Sequence, residues 1–192
     1  MARFRLRSRS QVVERCQALQ SEVTSALARL PSNEPAVVDA VWRGEALGTL
    51  LWSMHLLELP PYDRPFDTED VVEANAAAGE LREPDELELE RDAARLWHWR
   101  ARTTDLQASG ALQLPARYAS FDQLIAATAM RGHDEGLLPV PIRGDFRAYG
   151  KVYRHLTAEE HAEAHSIAAE RHHALNWLAG EGTNWADVPL VT

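Results

Sequence analysis

A helix that is apolar on nearly every side can be accommodated only in the middle of a fold or in a membrane, and this chain has one. From 36 to 59 the sequence holds Leu47, Leu50, Leu51, Trp52, Met54, Leu56 and Leu57 with few polar interruptions. Its most apolar stretch, 46–57, falls short of the roughly 20 residues that a bilayer-crossing helix needs and carries His55. The segment therefore reads as a core helix, and no membrane association is expected. Ser32, Asn33 and Glu34 ahead of Pro35 give it a start, since a proline in the first turn lacks only an N–H that would have had no helical partner.

The rest of the chain repeats the helical period. Val12, Val13, Cys16, Leu19, Val23, Ala26, Leu27 and Leu30 recur on it over 11–30, with Ser8 or Ser10 as the cap and Pro31 as the stop. After the stiff Pro60, Pro61 and Pro65 connection, Asp67 or Thr68 can cap a short helix over 69–78. The next helix starts near Pro84 with Asp85, Glu86, Glu88 and Glu90 and later gains Arg91, Arg95, Arg100 and Arg102, an order that complements the helix dipole. Trp97 and Trp99 lie about 200° apart on it, which predicts one core indole and one outward. A further helix is expected over 121–131. Thr157-Ala158-Glu159-Glu160 is a capping box for the last helix, 157–179, which Gly180 ends. Before it, 132–156 contains Gly132, Gly136, Pro139, Pro141, Gly144 and Gly150 and reads as a long irregular loop, of the kind that compact domains keep for function. The expectation is an all-α protein: a single compact domain of five or six helices over 11–192, preceded by a basic arm at 1–10. A chain of 192 residues that is 45% hydrophobic and has six Trp can bury one large core.

A formal charge of −9 argues against general affinity for nucleic acid. The arm dissents, because Arg3, Arg5, Arg7 and Arg9 alternate with Phe4 and Leu6. That pattern fits a strand, a nucleic-acid-binding arm, or a strap over the acidic 34–92 region of the same or a neighbouring chain. Cys16 has no partner for an intramolecular disulfide and the N-terminus has no apolar signal segment, so a reducing cytoplasm is expected. No phosphate-cradling glycine loop, nucleophile elbow or cysteine pair is present, and no cofactor is expected.

Four separated stretches carry a likeness: Trp42-Arg43-Gly44-Glu45-Ala46-Leu47 with Leu51-Trp52; Leu96-Trp97-His98-Trp99-Arg100-Ala101-Arg102-Thr103; Asp145-Phe146 with Gly150-Lys151 and Tyr153-Arg154; and Ser166-Ile167-Ala168 with Glu170-Arg171-His172 and Ala174-Leu175-Asn176-Trp177-Leu178. On these residues the chain resembles the bacterial family catalogued as domain of unknown function 4272, whose members close on a segment of the form ERHxALNWL. The likeness covers most of the chain from the first helix onward and implies a bacterial protein. It brings no activity, substrate or cofactor. It departs at 185–192, where a less acidic tail stands.

The polar residues in those stretches are Arg43, Glu45, Lys151, Glu170, Arg171, His172 and Asn176. Glu170 and Arg171 project about 100° apart, while His172 and Asn176, four apart, share a face. Read functionally, His172 is a general base near neutral pH, oriented by Glu170 or Glu45, with Arg43 or Lys151 holding an anionic substrate. Read structurally, Arg43 and Glu170 form a buried ion pair between helices, and His172 and Asn176 fasten the 132–156 loop. The structural account is preferred, because ion-pair networks draw on the same residue types as active sites. A second group, His161, His165 and His172, falls within about 40° on the last helix, and the one-turn spacing of the first two suits zinc. No Glu follows His161, so the H-E-x-x-H pattern is not met and a solvated histidine face without metal is expected. The leading expectation for function is a non-catalytic interaction or accessory protein, with a protein partner or a second copy of the chain left open. The alternative is a hydrolase-like or small-ligand-binding protein that uses the Arg/Glu/Lys/His cluster between the central helices and the 132–156 loop.

Overall fold

The computed structural model describes residues 6–111 and 113–192. Among the described residues six α-helices carry the fold: α1 (Arg9–Leu27), α2 (Pro35–Trp52), α3 (Thr68–Glu73), α4 (Pro84–Ala108), α5 (Phe121–Asp134) and α6 (Ala158–Leu178). In the packing order α1 lies on α2, α2 on α6 and α6 on α4, with α3 against α1 and α2 and α5 beside α4. The all-α expectation holds. Among the described residues no helix is long and apolar enough to cross a membrane.

Local chemistry explains most helix ends. Ser8 and Gln11 form a capping box on α1, and Thr157 and Glu160 form the expected one on α6. Asp67 accepts the N–H groups of Glu69 and Asp70 at the start of α3. One stripe of α1 (Val12, Cys16, Leu19, Val23 and Ala26) is buried, as an amphipathic outer helix requires. By contrast, α2 is buried without a break from Glu45 to Trp52.

Two helices are shorter than their sequence suggests. The apolar segment at 36–59 leaves the helix after Trp52 through a Schellman motif, in which Leu56 N–H bonds to Leu51 O and His55 N–H to Trp52 O. His55 takes the left-handed conformation (φ 60°) that glycine usually supplies, so no glycine marks the stop. The 69–78 segment divides into α3 and a separate turn at Ala76–Ala78. The 132–156 stretch also has more order than a loop. It makes tight turns at Arg143-Gly144 and Tyr149-Gly150, all four residues at positive φ, and the second joins two short antiparallel strands, β1 (Arg147–Ala148) and β2 (Lys151–Val152).

The core centres on Trp97, which stacks on Tyr62 at 5.3 Å and meets Phe146 edge-on at 5.2 Å, while Trp99 is half-buried. Gly48 lets the 60–66 segment approach α2: a Cβ there would lie 2.4 Å from the buried Phe66 ring. Gly48→Ala is expected to cost about 1–3 kcal/mol of stability by urea denaturation, overpacking outweighing the gain in helix propensity. An unchanged midpoint would mean that the ring yields freely.

Of the basic arm, Arg3 and Arg5 lie outside the described residues. Arg7 and Arg9 are held in place. Arg7 donates from Nε to Trp177 O (3.0 Å) and from Nη2 to Gly182 O (2.7 Å). Arg9, already in α1, reaches Ala77 O, Gly79 O and the Glu80 carboxylate, all within the 34–92 region.

Candidate functional site

The seven candidate residues do not converge. Lys151 on β2 is exposed and bonds to Glu160 in the first turn of α6 (2.6 Å), away from the other candidates. The expected Arg43–Glu170 pair is replaced by two others. Arg43 pairs with Glu22 on α1, and Arg171 takes Glu45, donating from Nε and Nη2 to Oε2 at 2.9 Å each. The cause is the rotation of α2: Arg43 and Glu45 point apart, and it is Glu45 that faces α6.

Arg171 is fully buried, and its remaining donors go to backbone carbonyls at Pro60 (2.6 Å) and Arg64 (2.9 Å). Its guanidinium also covers the rings of Tyr62 and Phe66. Glu45 completes the latch by accepting Phe66 N–H at 2.7 Å. Burial raises the Glu45 pKa, and Arg171 opposes that rise. Arg171 and Glu45 thus pin the proline-rich connection to two helices, with every nitrogen of the guanidinium engaged.

A second buried pair joins residues that no sequence spacing connects. Arg100 on α4 grips Asp145 with two hydrogen bonds (2.7 and 2.9 Å), and Asp145 also accepts the N–H groups of Phe146 and Arg154. Burial raises the Asp145 pKa, but these donors outweigh it and hold the carboxyl below its ordinary range. It is Arg100, and not His172 with Asn176, that fastens the 132–156 segment.

His172 and Asn176 do share a face, but as links in an internal relay. Arg91 Nε can only donate, so Asn176 Oδ1 accepts it (2.7 Å) and the amide nitrogen donates to His172 Nε2 (3.0 Å) and Pro189 O (2.9 Å). With Nε2 an acceptor, neutral His172 carries its proton on Nδ1 and donates it to His98 Nδ1, 3.0 Å away. Burial, then neighbouring positive charge, lowers His98 to about 4 and His172 to about 3. Both imidazoles stay neutral and sealed, which removes His172 as a general base at neutral pH.

Glu170 lines an open groove of about 320 Å³ between α2 and α6, together with Asp39, Trp42, Arg43, His165 and Ser166. Burial, opposed by Arg43 and reinforced by Asp39 and Glu45, pushes the Glu170 carboxyl up to about 7. Among the described residues it has no hydrogen-bond partner. The histidine face is also rearranged. His172 turns inward to His98, whereas His161 Nε2 and His165 Nδ1 both meet the carboxylate of Asp105 on α4, at 2.7 and 3.1 Å. Asp105 lies 56 positions from His161, and only the packing of α4 on α6 joins them.

No protein-family profile, curated protein or solved structure matches this chain.

Proposed function

We propose that this chain is a small-ligand-binding protein of the bacterial cytoplasm, akin to the domain of unknown function 4272 family, and that the α2–α6 groove is its ligand site. The observation that carries the reading is Glu170: a carboxyl without a hydrogen-bond partner among the described residues, lining an open groove of about 320 Å³. That volume suits a small molecule. Arg43 is engaged by Glu22, so Asp39 and Glu170 set the sign of the groove, and Trp42 offers a ring face. A small amine fits these groups best, its ammonium answering the carboxylates and the indole. An accessory role through a protein partner would call for a contiguous apolar face, whereas the exposed Leu30, Val38, Leu89, Met130, Val140 and Val191 are scattered along the chain.

Benzylamine and benzoate, alike in shape and opposite in charge, provide the test by chemical-shift mapping. Benzylamine is expected to perturb the groove residues, with an affinity that rises as pH increases through about 7, where Glu170 ionises, and Glu170→Gln is expected to abolish that rise. Equal binding of benzoate, or shifts elsewhere on the surface, would overturn the assignment.

A further inference from the structure

We propose that Asp105, His161 and His165 form a site for a first-row divalent transition ion of the zinc type. This stands apart from the groove reading: Asp105 and His161 lie outside the groove lining, and His165, which both share, is not the group that answers the ammonium. The donor set is two imidazole nitrogens and a carboxylate, borderline ligands suited to such ions. Metal bonds of 2.0–2.1 Å place neighbouring ligand atoms of a tetrahedral site about 3.3 Å apart. Here the two histidine–carboxylate contacts are 2.7 and 3.1 Å, and all three ligand atoms lie within 4.8 Å of one another. Small side-chain adjustments suffice to enclose an ion.

The surroundings supply the proton arrangement that the ion requires. Without an ion, His161 Nε2–H and His165 Nδ1–H donate to Asp105. Coordination at those nitrogens moves each proton to the other ring nitrogen, with no net proton released from the neutral rings. For His161 that nitrogen is Nδ1, 3.3 Å from the Tyr153 hydroxyl, which donates to it in one tautomer and accepts from it in the other. Tyr153 is itself buried, with Arg100 over its ring, so this outer partner is fixed in place. For His165, half-exposed at the rim of the groove, solvent takes that part. Asp105 is 47% exposed, which leaves the outer side of the site open for water as a further ligand. The third ligand differs from the one that histidine periodicity suggests: it is an aspartate from another helix, and His172 is spent in the relay.

Calorimetric titration of the untagged full chain with Zn²⁺, paired with the visible spectrum of the Co²⁺ form, tests the site. One ion per chain is expected, with a low-coordinate cobalt spectrum. Tyr153→Phe keeps the ring and removes the outer hydrogen bond, so it is expected to weaken binding about tenfold. Asp105→Asn, His161→Gln and His165→Gln are each expected to weaken it further, while His55→Asn, at an exposed histidine outside the cluster, leaves it unchanged. All three ligands are partly exposed, and circular dichroism checks that each variant remains helical. Uptake that survives the three ligand substitutions, or none by the wild type at millimolar Zn²⁺, overturns the proposal. Loss of zinc binding in Asp105→Asn or His161→Gln, neither of which lines the groove, with benzylamine binding intact separates it from the groove reading.

Discussion

Arg171→Met is expected to lower the free energy of unfolding by about 3–5 kcal/mol, since it strands a buried carboxylate without its partner. Glu45 is 4% exposed and keeps only the Phe66 N–H once the guanidinium is gone. The carbonyls of Pro60 and Arg64 lose their donor as well, and an unsatisfied buried acceptor is itself costly. Glu45→Leu alone is expected to be comparably damaging, because it leaves the cation buried instead. The double replacement removes both charges and recovers part of the loss. Recovery stays incomplete, since the connection at 60–66 still lacks its anchor. Urea denaturation of the four proteins closes the cycle. Additive losses would show that Glu45 and Arg171 do not act as a unit.

The pairing of Glu45 with Arg171, and not of Arg43 with Glu170, shows where the sequence stops being informative. Helix α2 is apolar nearly all round, so nothing in its pattern fixes its rotation about its own axis, and either polar residue could have faced α6. Helix starts were legible because Ser8, Thr157, Pro35 and Pro84 act on their own neighbours. The end of α2 was not, because His55 adopts a left-handed backbone without the glycine that announces one. The same division holds for the sites. That His172 and Asn176 share a face follows from a spacing of four. Their partners His98 and Arg91, like Asp145 for Arg100 and Asp105 for His161, come from other elements, and only helix packing brings them together.

Acid is expected to destabilise this fold from about pH 6.5 downward, and the His98–His172 pair is the reason. Protonating His172 sets a new N–H at Nε2 against the amide of Asn176, which Arg91 holds in place. Protonating His98 at Nδ1 sets it against the His172 N–H. Burial adds to the penalty, and so do the cations Arg91, Arg95 and Arg102 with His165 and His173; Asp105 alone opposes it for His98. In the unfolded chain both rings titrate near 6.5, while in the fold they titrate at about 4 and about 3. The unfolded state therefore binds more protons below pH 6.5, and stability decreases as the pH is lowered. At 1.36 kcal/mol per unit the pair contributes several kcal/mol that is fully present above pH 6.5 and mostly lost by about pH 4. Glu170 acts with the opposite sign: held near 7, it takes up a proton more readily in the fold and favours it as pH falls toward 4.5. The informative quantity is therefore a difference between proteins. Urea midpoints from pH 7.5 to 4.5 are expected to fall for the wild type and to change much less for His98→Met/His172→Leu. Parallel curves would remove the pair as the cause. Should the double variant not fold, the ring resonances of the wild type give the same answer, since those of His98 and His172 are expected to stay fixed between pH 7.5 and 5, whereas an ordinary histidine titration there would contradict the relay.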